Sequence, residues 1–178
     1  MNKQSYLFVA AGILLSFSFG ARAVVAQAPA KNGAAAALAK NVGDLTAQEE
    51  DEFAKAAEAT LERVCVACHP FENIMKNRRT LPEWDAQVAQ MAMRGAPGTE
   101  TDFALVKKYM TRYYGIVHVN TAPAEELSAV LGLPSKVAAA LVEYRKTNGK
   151  FTDLASLTKV DGVDKAKLQE NADALRFD

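Results

Sequence analysis

The chain has 178 residues, with 21 Lys+Arg against 21 Asp+Glu, two His and two Cys. That length holds one domain or two small ones. The balanced charge argues against a strongly basic nucleic-acid coat and an acidic disordered tail, and two cysteines exclude a multi-bridge disulfide scaffold.

The first element is an address. Lys3 stands before an almost wholly apolar run over residues 6–20, and small residues follow at Ala21-Arg22-Ala23 and Val24-Val25-Ala26. This is the three-part pattern of a signal peptide over residues 1–26. Cutting after Ala26 fits best, because Pro29 obstructs cutting after Ala28. The run of about 14 residues is short of the roughly 20 that span a bilayer, which leaves an uncleaved anchor as the lesser alternative. The mature chain is expected to be periplasmic or otherwise exported, with no transmembrane span after cleavage. Removing Lys3 and Arg22 leaves 19 basic residues against 21 acidic ones. Residues 27–45 are rich in Ala with Pro29, Gly33 and Gly43, lack apolar periodicity, and read as a flexible linker.

A helical segment follows over residues 46–115. Thr46-Ala47-Gln48-Glu49 has capping-box spacing, and Phe53, Ala57, Leu61 and Val64 recur at helical spacing up to Cys65. Cys65-Val66-Ala67-Cys68-His69 is then the C-x-x-C-H signature of c-type haem attachment. Two thiols one helical turn apart reach the two vinyl groups of one porphyrin, and the adjacent histidine supplies the proximal imidazole. The competing readings are a Cys65–Cys68 redox pair, which wants a βαβ context that is not visible, and a zinc site, which needs more ligands. A second capping box at Thr80-Leu81-Pro82-Glu83 starts a helix bearing Trp84, Val88 and Met91. Thr101 or Thr99 starts a third, with Phe103, Val106, Met110 and Tyr113 on one face. Three short helices bury little core alone, and one covalent haem c per chain would supply the missing apolar volume, as in a small class I-like cytochrome c domain.

The stretch from Cys65 to Gly115, with Arg78-Arg79-Thr80, Glu83-Trp84, Val88-x-x-Met91-x-x-x-Gly95 and a helix containing Tyr109, resembles the haem-binding module of quinohaemoprotein amine dehydrogenases. The resemblance implies His69 as proximal iron ligand and Met91 as the distal one. Met110, Met93, Met75 and His118 are alternatives, as is an open iron, because the usual Met-Pro loop is absent. Trp84 would line the haem, and Arg78 and Arg79 would pair with its propionates or stand in a solvated loop.

From residue 116 the pattern is a double helix-hairpin-helix. Helices are expected over residues 123–130 with Thr121 as N-cap, after Ser135 up to Gly149, over residues 153–157, and after Asp164. Val119-Asn120-x-Ala122, Glu126-Leu127, Gly132, Glu143-Tyr144-Arg145, Gly149-x-Phe151 and Val160-x-Gly162 make it similar to the helix-hairpin-helix domain of the competence DNA receptor ComEA. Such hairpins present helix N-terminal amides to a DNA phosphate. Here Pro134 removes one donor and Asp164 places a carboxylate at the second hairpin. From Ile116 onward, 8 basic residues face 9 acidic ones, which disfavours DNA.

The sequence therefore predicts an all-α chain: a class I-like cytochrome c domain over residues 46–115, then a double helix-hairpin-helix domain over residues 116–178. The leading expectation is an exported monohaem electron carrier, or a subunit serving an oxidoreductase, docked to a redox partner protein by the second domain. It is not an enzyme in its own right, since no catalytic acid, base or substrate pocket stands out. The alternative is a haem-carrying, ComEA-like DNA-binding protein of the periplasm.

Overall fold

The computed structural model describes residues 38–178. The expected signal peptide and most of the expected linker lie outside them. Helices make up most of the described chain.

Helix α1 (Ala47–Cys65) begins at the first capping box: the Thr46 hydroxyl accepts from the Glu49 N–H, and the Glu49 carboxylate accepts from the Thr46 N–H at 2.8 Å. Phe53, Ala57, Leu61 and Val64 are all buried along one face. Each buried Phe or Leu contributes roughly 1.5–3 kcal/mol. A one-turn helix α2 (Phe71–Met75), not foreseen from the sequence, follows the Cys-x-x-Cys-His segment. Helix α3 (Leu81–Met93) starts at the second capping box, and α4 (Glu100–Tyr114) starts at Thr99, whose side chain accepts from the Asp102 N–H. These helices enclose a first core that includes Phe53, Leu61, Trp84, Val106 and Met110. The Trp84 indole N–H donates to the Tyr114 carbonyl at 3.0 Å, which fixes the ring.

The linker expectation fails where the structure describes it. Val42–Asp44 is a 3₁₀ turn, Val42 is 1% exposed within the first core, and Gly43 is buried. Val42 anchors the turn in the first core, and Leu38 and Leu45 pack against it at spacings of four and three residues either side.

The second half runs β1 (Val117–His118), α5 (Ala124–Leu131), α6 (Ser135–Asn148), α7 (Leu154–Leu157), α8 (Lys165–Glu170), a 3₁₀ turn Ala172–Ala174, and β2 (Leu175–Arg176). The strands pair in parallel, Val117 opposite Leu175, so the start and end of this half are tied together. A second core fills it, including Leu127, Leu131, Leu141, Phe151 and Leu168. Two polar residues lock the connections. The Asn120 amide donates to the Phe151 and Phe177 carbonyls and accepts from the Phe151 N–H, while Arg145 donates to the Val119 and Ala122 carbonyls, both at 2.6 Å. Asn120 and Arg145, which helped carry the ComEA likeness, thus have structural work here.

Two expected caps are corrected. Helix α5 is capped at Pro123, not Thr121, and α6 begins at Ser135 itself behind Pro134. Asp153 and Asp164 do cap α7 and α8.

The halves are joined by polar contacts as well as by α4 packing on α5. Arg78 donates to the Gly115 carbonyl and pairs with Asp173. Arg112 of α4 bonds Glu50 of α1, the Val130 carbonyl of α5, and Asn171.

Candidate functional site

The end of α1 delivers Cys65 to a cavity of about 330 Å³, within the size range of small-molecule sites. Cys65, His69, Trp84, Met91, Phe103 and Met110 are among its lining residues. A smaller cavity of about 210 Å³ adjoins it, sharing Cys65, His69, Met91 and Arg94, and adds Cys68. Cys65 and His69 therefore line both of two adjoining cavities beside α1, α3 and α4, and Cys68 lines the smaller. Burial, and secondarily the neighbouring Cys68, pushes the Cys65 thiol above its ordinary range. A reactive redox pair needs the opposite, a depressed thiol.

The residues fit a covalently held haem. The cavities are mostly apolar, both cysteines line the smaller, and the His69 Nδ1 is buried without a hydrogen-bond partner in the protein. A buried, unpaired ring nitrogen is costly unless a further group engages the ring. Among the described residues, no cluster of three or more His, Cys, Asp or Glu is placed to hold a bare metal ion.

The other expected site residues divide. Met91 lines both cavities, and Met110, 1% exposed, lines the larger. Met93 is 80% exposed and lines neither, because it falls on the opposite side of α3. Met75 packs at the margin of the first core instead. Arg79 lines the larger cavity with its guanidinium 5.6 Å from the Trp84 ring centroid, a cation–π distance. Its neighbour Arg78 turns away to Gly115 and Asp173, so it ties the two halves instead of facing the cavity. His118 stands apart, its Nδ1 2.7 Å from Asp178.

The two hairpins form the second candidate site. The first turns at Gly132 (φ +61°), Leu133 and Pro134, the second at Gly162 (φ +84°), Val163 and Asp164. The Asp164 carboxylate accepts from the Ala166 and Lys167 N–H groups, so the start of α8 carries its own anion. At the first hairpin the anion comes from afar. The Asp44 carboxylate accepts from the Ser135 N–H at 2.9 Å and from the Ser135 hydroxyl, and the Asn41 amide donates to that hydroxyl at 2.7 Å. Neither Asn41 nor Asp44 carried any sequence signal.

The Ser135 bonds hold the Asp44 carboxyl below its ordinary range. A depressed folded value stabilises the protein above the unfolded value, about 3.9, and that contribution is lost as the pH falls through the folded one. Asp44→Asn is therefore expected to destabilise the chain at neutral pH, with the difference fading in strong acid. Paired urea unfolding curves at the two pH values check this; a difference that persists undiminished in acid would show that charge is not the cause.

Fold and hairpins together define a mostly helical protein that carries a helix-hairpin-helix domain. Residues 114–176 match the family model of the helix-hairpin-helix motif. The chain is 39% identical over 62 residues to an uncharacterized protein of Haemophilus influenzae, covering 34% of this chain and 55% of that one. It is 40% identical over 48 residues to ComE operon protein 1 of Bacillus subtilis, covering 27% and 23%. It is 38% identical over 52 residues to endonuclease/exonuclease/phosphatase family domain-containing protein 1 of Rattus norvegicus, covering 29% and 9%. The chain thus spans about half the length, or less, of these curated relatives. No solved structure matches it. Among the described residues, no helix is long and apolar enough to cross a membrane.

These matches correct the leading expectation. The family model and the ComE operon protein 1 likeness support the ComEA-like, helix-hairpin-helix part of the chain and not a cytochrome that carries electrons to a redox partner. The electron-transfer reading gives way to the alternative.

Proposed function

We propose that this is an exported DNA-binding protein of the ComEA-like kind, whose N-terminal half holds a covalent haem. The single observation that carries the DNA reading is the match of residues 114–176 to the helix-hairpin-helix model, on a fold that forms both hairpins. Lys136, Lys159 and Lys165 are exposed beside the hairpins, where they suit phosphate contact without base readout. The signal-peptide pattern of residues 1–26 supports export. Nothing in the reading asks for catalysis; the protein binds.

The haem is proposed on the Cys65-Val66-Ala67-Cys68-His69 motif and the hollow it faces. Cys65 and Cys68 would hold the ring covalently, His69 would ligate the iron, and Met91 is the distal candidate, with Met110 next. Trp84 and Arg79 would line the ring's edge. When bound, the group supplies an iron centre and apolar volume to the smaller of the two cores.

One preparation tests both parts. The full chain, expressed with export and haem-attachment machinery, is expected to show a mass increase of one haem that survives denaturation. Cys65→Ser with Cys68→Ser is expected to abolish it. The same protein is expected to bind duplex DNA of any sequence, with affinity falling steeply as salt rises. An unmodified mass would end the haem part, and no DNA binding even at low salt would end the other.

A further inference from the structure

The second hairpin is capped by its own Asp164, whereas the first is occupied by a residue from far along the chain. Pro134 has no N–H, so the Ser135 N–H is the first donor at the start of the 14-residue helix α6. The Asp44 carboxylate takes that donor, together with the Ser135 hydroxyl. Gly43 lies against the hairpin backbone so closely that a Cβ there would fall 1.8 Å from the Leu133 carbonyl oxygen. Behind the hairpin stands the Arg112 guanidinium, 2.8 Å from where a Gly132 Cβ would be.

The occupying turn belongs to the other half of the molecule. Val42 is buried among the first core, Lys40 pairs with Glu49 at 2.7 Å, and Lys108 of α4 donates to the Lys40 carbonyl. Asp44 and Ser135 are 91 residues apart in sequence. A local N-cap sits within a residue or two of its helix. This one is a carboxylate delivered from a separate core to an amide-and-hydroxyl pair, which is the donor set a phosphate oxygen would use.

Building on the DNA reading above, we infer that residues 41–44 are a built-in occupant of the first hairpin: Asp44 stands in for a DNA phosphate and holds this hairpin out of DNA contact. Two effects follow from one residue. The carboxylate uses the donors, and its charge repels an incoming phosphate. Gly43 supplies the close approach, and the N-terminal core sets whether the turn stays docked. The exposed Lys136, Lys159 and Lys165 beside the hairpins then make the DNA contacts of the resting protein.

Duplex DNA titrations on the full chain over a range of salt test this. Asp44→Asn is expected to tighten binding roughly tenfold and to steepen the salt dependence by about one unit, the mark of one more phosphate contact. Ser135→Ala loosens the turn but keeps the backbone donor, and is expected to tighten binding several-fold. Glu143→Gln makes the same charge change on the exposed face of α6 and is expected to shift affinity less than about twofold. If wild type and both hairpin variants bind equally, the inference falls while the DNA reading stands. It falls equally if Glu143→Gln matches Asp44→Asn, since bulk charge would then suffice. If no form binds DNA at low salt, both fall.

Discussion

Replacing Arg112 by Ala is expected to cost about 3–5 kcal/mol of stability, the range for removing one partner from a buried ion pair. Arg112 is 9% exposed. Its Nε donates to the Glu50 carboxylate at 3.1 Å, and one Nη donates to both the Val130 carbonyl at 3.3 Å and the Asn171 side chain at 2.8 Å. The guanidinium also lies 5.2 Å from the Tyr113 ring centroid. Truncation leaves the Glu50 carboxylate facing Lys167 at 3.9 Å, too long to replace what is lost. It also opens a void beside Gly132, in the joint between the two cores. Arg112→Lys keeps the charge but cannot meet separate acceptors from a planar fork, and is expected to recover less than half of the loss. Urea unfolding followed by Trp84 fluorescence, which reports the first core, and by far-ultraviolet circular dichroism, which reports both, checks this. In wild type the two transitions are expected to coincide, and in Arg112→Ala to separate. An unchanged midpoint by both probes would refute the coupling.

Arg112 also shows where reading the sequence stops. Capping boxes were legible because donor and acceptor lie three residues apart: Thr46 with Glu49 and Thr80 with Glu83 place the starts of α1 and α3. Asp164 is legible as a cap because its donors lie two and three residues on, whereas Asp153, read as the first residue of its helix, is in fact its cap. Asp44 was not legible, because the helix it serves begins 91 residues later. Ser135 has the composition of an N-cap, yet the helix already includes it, and Pro134 holds the cap position in an extended conformation. The two-residue strands are too short to show a period of two. Arg78 and Arg79 were indistinguishable in sequence. The backbone bridge between Arg79 and Gly115 sets which side chain faces the hollow and which faces Asp173. The Cys-x-x-Cys-His motif, by contrast, is local chemistry, and its three side chains do gather on the smaller of two adjoining cavities. Which methionine lines either cavity depends on helix packing, and packing rather than spacing separates Met91 and Met110 from Met93.

Gly43→Ala is expected to be the most informative single methyl group that could be added. A Cβ at Gly43 would fall 1.8 Å from the Leu133 oxygen and 2.3 Å from its carbonyl carbon, both backbone atoms in a buried hairpin. Neither can rotate aside, so either the hairpin shifts or the turn leaves it. Overpacking of this kind costs typically 1–3 kcal/mol, and a backbone-to-backbone clash belongs at the upper end, about 3 kcal/mol. Gly149→Ala is the matching control. Nothing lies within 4 Å of the added atom, but φ +86° with ψ −176° is a region essentially confined to Gly, so about 1–3 kcal/mol is expected from backbone strain alone. The two variants therefore separate by what they release and not by size. Expelling the turn frees the Ser135 N–H, so hydrogen exchange at Ser135 and over residues 41–45 is expected to speed up in Gly43→Ala. The α1 amides beyond its first turn should stay protected, because Phe53, Ala57 and Leu61 keep that helix in its core. DNA affinity should rise with the exchange rate, as for Asp44→Asn, because the same donors are exposed by displacement instead of neutralisation. Faster exchange at Ser135 without tighter DNA binding would show that the turn only fastens the two halves and that the hairpin beneath it has no use for a phosphate.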